Sequence, residues 1–535
     1  MRQLRTWLTA LVAGALCVMG AAAPAAAVGP DRLPITVANS SGRGEQVYVH
    51  VLGTNLATGR LGWVDAGGTF RQWPAGSNPP SPAPDSAIAG PSNGGAVTVQ
   101  VPRGFSGRIY FSFGQKLPFS LTPDGLVQPA PWAGGDPTRD ILFDWSELTY
   151  NDAGLWLNSS QVDMFAVPHS VSVTGASGQT RTTGRLVANG RQQIIDALRA
   201  DPAWARSVVT RADGTVLRVL APGKAASAGL MSTTFLDGYI ASAWNAYTSR
   251  TLTVQPFGDR PEVRYTGRTS GTTMRFTDTS GREVAAFQRP SSSDVWGCDG
   301  ALHAPNDQVV GPIARTLCAA LFRGTLGTST TEPVLDAAQF YRSTPPNLYG
   351  RAVHAAMADG RAYAFAFDDV GAFESLVHDG DPRSARVDLT SFTGGTTTNP
   401  GTPTTPTPTG QALVSRWNGK CLDVTGGAIT AGTRVQMWEC NGTAAQQWRQ
   451  VGTALRVGTD QCLDVVWGGT TNGSPVQVAT CSGNAAQQWV LTAAGDLVNP
   501  QSNRCLDIAD WNGANGARVQ LWDCGGTANQ KWVRR

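Results

Sequence analysis

A motif that occurs three times near the C-terminal end constrains the fold more than any other feature of this 535-residue sequence. Each copy begins with Cys-Leu-Asp and ends with a tryptophan; the first cysteines are Cys421, Cys462 and Cys505, and the tryptophans are Trp448, Trp489 and Trp532. The copies recur at intervals of 41 and 43 residues, and a unit this short cannot enclose a core alone. Three units must therefore share one core in a pseudo-threefold β structure, and we expect the three tryptophans to lie in it.

The sequence contains nine cysteines, and their spacing predicts disulfides. Six of them form three pairs with the same separation of 19 residues, namely Cys421–Cys440, Cys462–Cys481 and Cys505–Cys524. Cys17 falls in the N-terminal leader described below, so Cys298 and Cys318 are left to pair with each other. An even number of cysteines in an exported chain is typical of a disulfide framework. The sequence has no close cysteine pairs and its histidines are scattered, so we expect no metal and no cofactor.

The first 27 residues have the pattern of a secretory signal peptide. Arg2 and Arg5 supply positive charge, an apolar stretch follows over residues 8–20, and residues 25–27 are alanines. The apolar stretch is too short to span a bilayer, and no later apolar run is long enough. We therefore expect a secreted protein without membrane attachment, whose mature chain begins near Val28.

Residues 394–410 read GGTTTNPGTPTTPTPTG, with no charge and almost no apolar side chain. A segment of this composition cannot bury a core, so it predicts an extended linker between two bodies, residues 28–393 and residues 411–535.

Hydrophobic residues make up 41% of the chain, which is enough for sizeable cores, and the net charge is only +3. A nucleic-acid partner that needs a broad basic surface is therefore not expected. We also expect the protein to be a monomer.

The C-terminal body resembles the ricin-type β-trefoil lectins, carbohydrate-binding module family 13, over its whole length. In that family each copy offers a shallow sugar pocket lined by an aspartate, a glutamine and an aromatic side chain. The resemblance assigns Asp423, Gln436, Trp438, Asn441 and Gln446 to the first pocket, Asp464, Gln477 and Gln487 to the second, and Asp507, Gln520, Trp522, Asn529 and Gln530 to the third. Ala479 replaces the tryptophan of the second pocket, so the first and third are favoured, and Trp467 is a candidate substitute. The alternative is a trefoil retained only as a folding unit.

The N-terminal body combines β-rich and helical segments. Alternating or β-branched runs predict strands at residues 47–51, 97–101, 108–113, 362–367 and 385–389. Apolar spacing near 3.6 residues predicts helices at residues 190–201 and 238–248, with residues 310–322 as a further candidate. We therefore predict a β domain with an inserted or adjoining α/β domain, and a groove between the two.

Residues 143–169 carry the densest chemistry of the N-terminal body. Period-two alternation places Phe143, Trp145, Glu147, Thr149 and Asn151 on one face of a strand, and Gln161, Asp163 and Phe165 on one face of a second strand. If the two strands are neighbours, Glu147 and Asp163 can flank one substrate bond, which is the carboxyl pair that glycosidic hydrolysis needs. Acidic residues on strands are common, so Asp140, Asp144 and Asp152 compete for these roles.

Residues 160–168, SQVDMFAVP, resemble the V-D-x-F-x-V-P segment of thaumatin-like proteins. The wider pattern, including residues 143–151 and 296–300, resembles the laminaripentaose-producing β-1,3-glucanases of glycoside hydrolase family 64 over nearly all of residues 31–392. The resemblance implies a mainly β multidomain chain, with a thaumatin-like β-barrel beside a mixed α/β domain, a linker and a β-trefoil. It also implies inverting hydrolysis of β-1,3-glucan to a pentasaccharide. Glu147 would be the general acid, Asp163 the general base, and Thr149, Asn151 and Trp156 sugar contacts.

Three other functions are alternatives to this one. A non-catalytic thaumatin-like binding or defence protein would keep the fold without hydrolysis, and a different secreted polysaccharidase, such as a xylanase, could also carry a trefoil. A serine esterase is disfavoured because no G-x-S-x-G motif is present. His169 directly follows Pro168, and we interpret it as a structural residue or a groove-edge contact rather than a general base.

Overall fold

The computed structural model of the protein describes residues 29–392 and 411–535, apart from positions 428, 452, 459, 460, 482, 483 and 493. These residues form two compact units, one on either side of residues 393–410. The expected signal peptide, residues 1–27, and the expected linker, residues 394–410, lie outside the described residues. Within the described residues, no helix is long and apolar enough to span a bilayer.

The first part of the N-terminal unit is built from strands alone. They are β1 (Arg32–Asn39), β2 (Val47–Asn55), β3 (Arg60–Val64), β4 (Phe70–Gln72), β5 (Ser81–Pro82), β6 (Ile88–Ala89), β7 (Ala96–Pro102), β8 (Phe105–Phe113), β9 (Ser120–Thr122), β10 (Gly125–Val127), β11 (Leu142–Asn151), β12 (Gly154–Ser159), β13 (Met164–Phe165), β14 (His169–Gly175) and β15 (Thr180–Thr183).

The second part mixes helices and strands before the chain returns to the first. Its helices are α1 (Gly190–Arg199), α2 (Pro222–Ser227), α3 (Asp237–Ala246), α4 (Ser292–Gly297), α5 (Val310–Arg323) and α6 (Leu348–Ala356). Its strands are β16 (Val208–Thr210), β17 (Val216–Leu220), β18 (Leu252–Val254), β19 (Tyr265–Ser270), β20 (Thr273–Thr277), β21 (Glu283–Gln288) and β22 (Thr331–Glu332), followed by β23 (Leu376–Asp379) and β24 (Pro382–Leu389).

Two large sheets share the core of the first part. One has the strand order β15-β14-β24-β1-β7, with β1 and β24 parallel, and the other has the order β23-β12-β11-β8-β2-β3-β4, with β6 paired to β2. Alternate side chains of both sheets point into this core; Val37, Val49, Phe111, Val171 and Val387 are all fully buried. The strands predicted at residues 47–51, 97–101, 108–113 and 385–389 are confirmed.

The second part has two smaller sheets, β13-β17-β16 and β21-β20-β19-β18-β22, together with the six helices. The amphipathic segments form α1, α3 and α5 as predicted, because their apolar faces pack onto the common core. Cys298 at the end of α4 is bonded to Cys318 in the middle of α5. The predicted combination of a β-barrel and a mixed α/β domain is confirmed.

The strand predicted at residues 362–367 is wrong. Only Tyr363 pairs with another strand-like residue, in an isolated bridge to Ser160. The rest of the segment turns around the fully buried carboxylate of Asp368, which accepts hydrogen bonds from Arg323 at 2.8 Å and pairs with His354 at 2.9 Å. These long-range partners bend the backbone, and residue alternation alone does not reveal them.

The C-terminal unit contains β25 (Leu413–Ser415), β26 (Cys421–Val424), β27 (Val435–Trp438), β28 (Trp448–Val451), β29 (Ala454–Val457), β30 (Gln461–Val465), β31 (Val476–Thr480), β32 (Val490–Leu491), β33 (Leu497–Asn499), β34 (Arg504–Ile508), β35 (Ala517–Asp523) and β36 (Trp532–Arg534). They form an eight-stranded sheet, β32-β33-β34-β35-β27-β26-β25-β36, and a four-stranded sheet, β28-β29-β30-β31.

The three repeats of this unit share one core, as the repeat period predicts. Trp448, Trp489 and Trp532 are at most 2% exposed, and each indole N–H donates to a leucine carbonyl of its own repeat at 2.9–3.0 Å. The three predicted disulfides are present, each joining cysteines 19 residues apart. The prediction that the tryptophans are core residues is confirmed.

Candidate active site

Glu147 lies in the middle of β11, which is hydrogen-bonded to β8 on one side and β12 on the other. The register places Arg108 of β8 directly opposite Glu147, and cross-strand neighbours project from the same face of a sheet. Glu147 is only 8% exposed, so its carboxylate needs a partner, and Arg108 provides one. Nε and Nη2 of Arg108 are both 3.0 Å from Oε1 of Glu147.

Asp163 also lies near Arg108, but the chain around it is not the strand that the sequence predicts. β12 ends at Ser159, the backbone bends at Val162 and Asp163, and the next strand, β13, pairs with β17 of the α/β part. Glu147 and Asp163 are therefore not on neighbouring strands of one sheet, and the expectation of a continuous strand through Gln161 is wrong. The main-chain carbonyl of Asp163 accepts a hydrogen bond from the Ala221 N–H at 3.0 Å.

Arg108 brings the two carboxylates together. Its Nη2 lies 3.0 Å from Oε1 of Glu147 and 4.0 Å from Oδ2 of Asp163, so those two oxygens are at most about 7 Å apart. The guanidinium stacks over the indole of Trp145, with its central carbon 4.7 Å from the ring centroid. The carboxylates retain 11% and 12% side-chain exposure, so solvent and a ligand can reach them.

A second cation faces Asp163 from the α/β part. Lys224 of α2 places Nζ 3.2 Å from Oδ1 of Asp163, while Arg108 faces the other oxygen. Nζ also lies 4.5 Å from the ring centroid of Trp132. Each oxygen of Asp163 thus faces a positive charge.

Asp144 has a structural role, which removes it as a competitor for catalysis. Its carboxylate is fully buried and accepts hydrogen bonds from the backbone N–H groups of Ala166, Val167 and Trp145, at 2.8, 3.0 and 3.0 Å. Burial raises the pKa of Asp144 to about 7, against the lowering effect of these donors. The contacts tie the Glu147 strand to the segment that follows Asp163.

The other two competitors, Asp140 and Asp152, are exposed. Asp152 belongs to the turn between β11 and β12, and its nearest charged partner, Arg103, is 3.8 Å away. Neither carboxylate shares a cation with Glu147 or Asp163 in the ion pairs of the described residues. Of the acidic residues considered from the sequence, Glu147 and Asp163 share a cation, and their catalytic roles stay a prediction.

The predicted sugar contacts lie along the same face of the sheet as Glu147. Thr149 is opposite Trp156 in the register of β11 and β12, and its hydroxyl lies 2.8 Å from that of Ser106. The Trp156 indole stacks on the His378 imidazole, with ring centroids 4.2 Å apart. Asn151 ends β11, and its side-chain oxygen accepts the Ala153 N–H at 2.8 Å.

Two aromatic residues expected on a groove face are in the core instead. Phe143 is fully buried and Trp145 is 2% exposed. β11 is an inner strand of the large sheet and nearly all its residues are buried, so alternation did not distinguish an open face from a covered one. The accessible part of the face begins at Glu147.

His169 is buried in the structure, in agreement with its interpretation as a structural residue. It is 2% exposed, its Nδ1 lies 2.8 Å from the Val167 carbonyl, and its Nε2 lies 3.2 Å from the Ser159 hydroxyl. Its ring packs edge-on against Phe111. Burial lowers the pKa of His169 to about 4, so the ring is neutral at ordinary pH.

In the first trefoil pocket, the side chains of Asp423, Gln436 and Gln446 form one cluster. The two glutamine amides donate to the Asp423 carboxylate at 2.9 and 3.0 Å. Asn441 contributes its backbone N–H to Gln446 at 2.8 Å. Trp438 is 38% exposed and can offer an indole face to a ligand.

The third pocket has the same arrangement with one more donor. Gln520, Asn529 and Gln530 donate to the Asp507 carboxylate at 3.2, 2.8 and 3.0 Å. Burial raises the pKa of the Asp507 carboxyl above its usual value. Trp522 is 44% exposed, like its counterpart in the first pocket.

The second pocket differs in its aromatic residue. Gln477 donates to Asp464 at 3.0 Å, and Gln487 donates to the backbone carbonyl that follows Ala479, also at 3.0 Å. Trp467, the candidate substitute, is 98% exposed and has a left-handed backbone with φ of 55°. An indole this exposed has almost no contact with its own pocket.

Three residues that contact the predicted site residues were missed from the sequence: Arg108, Lys224 and His378. Arg108 starts the predicted strand at residues 108–113, and its only sequence signal is a charge within a β-rich run. Lys224 and His378 have no local signal, because tertiary packing brings them to the site. Within the described residues there is no cluster of three or more histidine, cysteine or acidic side chains that could hold a metal ion.

Comparisons with known families place both parts of the chain in described families. The profile of the glycoside hydrolase family 64 β-1,3-glucanases matches residues 31–389, and the profile of the ricin-type β-trefoil lectin domain matches residues 410–532. A laminaripentaose-producing β-1,3-glucanase, solved in complex with laminaritetraose, is 53% identical with a TM-score of 0.66. That likeness covers 68% of this chain and 99% of the solved one.

Curated relatives extend the likeness across most of the protein. Glucan endo-1,3-β-glucosidases of Arthrobacter sp. (strain YCWD3) and Cellulosimicrobium cellulans are each 46% identical over 458 residues, which is 83% of this chain and 82% of theirs. The chain therefore belongs to the β-1,3-glucanases of glycoside hydrolase family 64, and it carries a ricin-type β-trefoil lectin domain at its C-terminal end.

Proposed function

We propose that the protein is an endo-β-1,3-glucanase that hydrolyses its substrate with inversion, with Glu147 as general acid and Asp163 as general base. The observation that carries this proposal is the convergence of both carboxylates on one guanidinium, that of Arg108. The names of the relatives supply the substrate class. A non-catalytic thaumatin-like protein would have no need for a pair of nearly buried carboxylates that share one cation.

The contacts of the two carboxylates support the division of roles. Both oxygens of Asp163 face cations, so this group suits the base, which must be ionised. Arg108 engages only Oε1 of Glu147, and no hydrogen bond from the described residues reaches Oε2. Oε2 is therefore the oxygen that can carry a proton to the leaving group.

The proposed reaction then needs only the chain and water. Glu147 donates its proton to the glycosidic oxygen while the bond between that oxygen and the anomeric carbon breaks. Water attacks the anomeric carbon from the opposite face and transfers a proton to Asp163. Arg108 stabilises the negative charge that develops on Glu147 as the proton leaves.

Thr149, Asn151 and Trp156 are proposed sugar contacts. Thr149 and Trp156 are cross-strand neighbours two residues along from Glu147 on the same face, so they can bind sugar units next to the cleaved bond. One face of the Trp156 indole is covered by His378, so the other face is the one that can stack on a sugar ring. The proposed main product is laminaripentaose, as in the solved relative.

The trefoil is proposed to bind carbohydrate and to hold the catalytic unit near insoluble glucan. Its first and third pockets are favoured, because each combines an aspartate–glutamine cluster with a partly exposed tryptophan. Secretion is proposed on the N-terminal leader pattern and is consistent with the four disulfides.

The direct test replaces each carboxylate by its amide. Glu147→Gln and Asp163→Asn are each expected to lower the rate of reducing-end release from laminarin by about 10²–10⁴-fold, the usual contribution of a general acid or base. Both variants should still bind to curdlan in a pull-down. Asp140→Asn, which neutralises an exposed carboxylate just before the same strand, is the matched control and should keep near wild-type turnover. Near wild-type turnover of Glu147→Gln would refute the assignment.

A further inference from the structure

The charged and titratable groups around Asp163 come from four elements. β8 provides Arg108 and Tyr110, β11 provides Glu147, α2 provides Lys224, and α6 provides Tyr349. Burial raises the pKa of Tyr349 far above its usual value, so its hydroxyl stays neutral, and it donates to the Gln161 carbonyl at 2.5 Å. Arg108 and Lys224 are therefore the only cations among these groups.

The two cations make different contacts with Asp163. Arg108 has two donors on Glu147 at 3.0 Å and is 4.0 Å from Asp163, beyond hydrogen-bonding distance. Lys224 is the nearer cation, at 3.2 Å from Oδ1. Arg108 thus pairs mainly with Glu147, the proposed acid, and Lys224 pairs with Asp163, the proposed base.

Lys224 is held in this position by the local structure. β17 ends at Leu220, and the next residue, Ala221, donates its N–H to the main-chain carbonyl of Asp163 at 3.0 Å. Lys224 lies one turn further on in α2, and its ammonium group is also 4.5 Å from the ring centroid of Trp132. The start of this helix and the Asp163 backbone are therefore fixed to each other, and the Lys224 side chain spans only the remaining gap.

We propose that Lys224 is a positioning residue for hydrolysis, which holds Oδ1 of Asp163 and leaves Oδ2 to take the proton from the attacking water. This inference rests on the proposed role of Asp163 as the base. Lys224 engages Oδ1, and Arg108 is too far from Oδ2 for a hydrogen bond, so Oδ2 is the oxygen with room for water.

The consequence is a specific change in the pH profile. The base must be ionised, so the low-pH limb of kcat/KM reports protonation of Asp163 in the free enzyme. An opposite charge within hydrogen-bonding distance of a carboxylate favours its anionic form. Removing the Lys224 charge should therefore move the low-pH limb of the profile to higher pH.

The experiment compares three variants of the full chain with the wild type on soluble laminarin oligosaccharides. Lys224→Met removes the charge and keeps an apolar side chain, and Lys224→Arg keeps the charge. Lys116→Met is the matched control, because Lys116 is also paired with an aspartate, Asp85 at 2.6 Å, but forms no ion pair with Asp163 in the described part of the chain. Circular dichroism establishes that each variant is folded.

In Lys224→Met, we expect the low-pH limb of the kcat/KM profile to move to higher pH and most of the activity to return above it. In Lys224→Arg, we expect the limb to lie at the wild-type pH. Lys116→Met should leave the profile unchanged. An unshifted limb in Lys224→Met, or a change confined to KM, would overturn the inference. If Lys224→Met does not fold, Lys224→Gln tests the same limb with a polar side chain.

Asp163→Asn separates this inference from the proposed function. Asp163→Asn can be inactive while the low-pH limb of the kcat/KM profile of Lys224→Met stays at the wild-type pH. In that case Asp163 is the base and only the role of Lys224 is wrong. If Asp163→Asn is active, the assignment of the base itself is wrong. Combining Lys224→Met with Asp163→Asn should add no further loss, since the lysine acts through the aspartate.

Discussion

His169 offers a test of how burial in the barrel controls stability in acid. The imidazole is 2% exposed and lies in the segment directly after the residues that Asp144 binds. Its Nδ1 donates to the Val167 carbonyl, and its Nε2 accepts from the Ser159 hydroxyl, which also receives a hydrogen bond from Gln161. This network suits a neutral ring. His169→Asn removes the titration and can keep a donor to the Val167 carbonyl.

The magnitude follows from the pKa of the buried ring. Burial lowers the pKa of His169 from 6.5 to about 4, and each unit corresponds to about 1.36 kcal/mol, so the effect is about 3 kcal/mol. Between pH 6.5 and pH 4 the unfolded chain binds a proton that the folded protein does not. The free energy of unfolding therefore rises with pH in this window, and the contribution of His169 is lost as pH falls to about 4.

Other buried groups titrate in the same window, so the test must be a difference measurement. Burial also lowers the pKa of His50 to about 4, whereas it raises the pKa values of Asp144, Glu332 and Glu374 to about 7, and these carboxyls act with the opposite sign. All of them are common to wild type and His169→Asn, so they cancel in the difference.

The assay is urea unfolding of the full chain at pH 7 and pH 4. We expect the stability advantage of the wild type over His169→Asn to shrink by about 3 kcal/mol between the two pH values. His303→Asn is the control, because that side chain is 60% exposed and its burial contributes nothing to the difference. A constant difference for His169→Asn would show that burial of this ring does not set its titration.

Two further predictions concern the Asp144 carboxylate and the trefoil. Asp144→Asn puts an amide where a carboxylate oxygen accepts backbone N–H groups, so the two catalytic carboxylates should shift. We expect steady-state kinetics on laminarin to give a kcat lower by roughly tenfold or more and a nearly unchanged KM; a rise in KM alone would contradict this role. Deleting residues 411–535 should weaken hydrolysis of insoluble curdlan and leave soluble oligosaccharides nearly unaffected, because a tethered binding domain only raises the local concentration of enzyme at a surface. Equal losses in reducing-end assays on both substrates would mean that the trefoil shapes the catalytic site.

Repeats and local patterns predicted much of the fold, because their information lies within a short stretch of chain. The Cys-Leu-Asp and tryptophan positions recur at a near-constant interval, and each tryptophan occupies an equivalent place in the shared core. The amphipathic segments of the N-terminal unit also formed helices, since each buries its apolar face. The candidate pair Glu147 and Asp163 also lies within one short stretch, and its assignment rests on the resemblance of that stretch to a known family.

The rest of the site depends on contacts between distant parts of the sequence. Arg108 is 39 residues from Glu147, and Lys224 comes from a separate part of the unit. The alternation of residues also gave a wrong prediction of exposure. Phe143 and Trp145 lie on the face that was expected to be open, but neighbouring elements cover them. A periodic pattern predicts which side chains share a face, but what packs on that face is set by tertiary structure.

The stereochemistry of the first product tests the two-carboxylate mechanism most directly. If Asp163 activates water on the face opposite Glu147, the carboxyl groups should stand about 6.5–9.5 Å apart and no covalent sugar adduct should form. Proton NMR of laminarin digestion at early times, before mutarotation, distinguishes the anomers at the new reducing end. The account predicts that the α-anomer appears first. An initial burst of the β-anomer would mean that Asp163 is a nucleophile or that a different pair of residues performs the reaction.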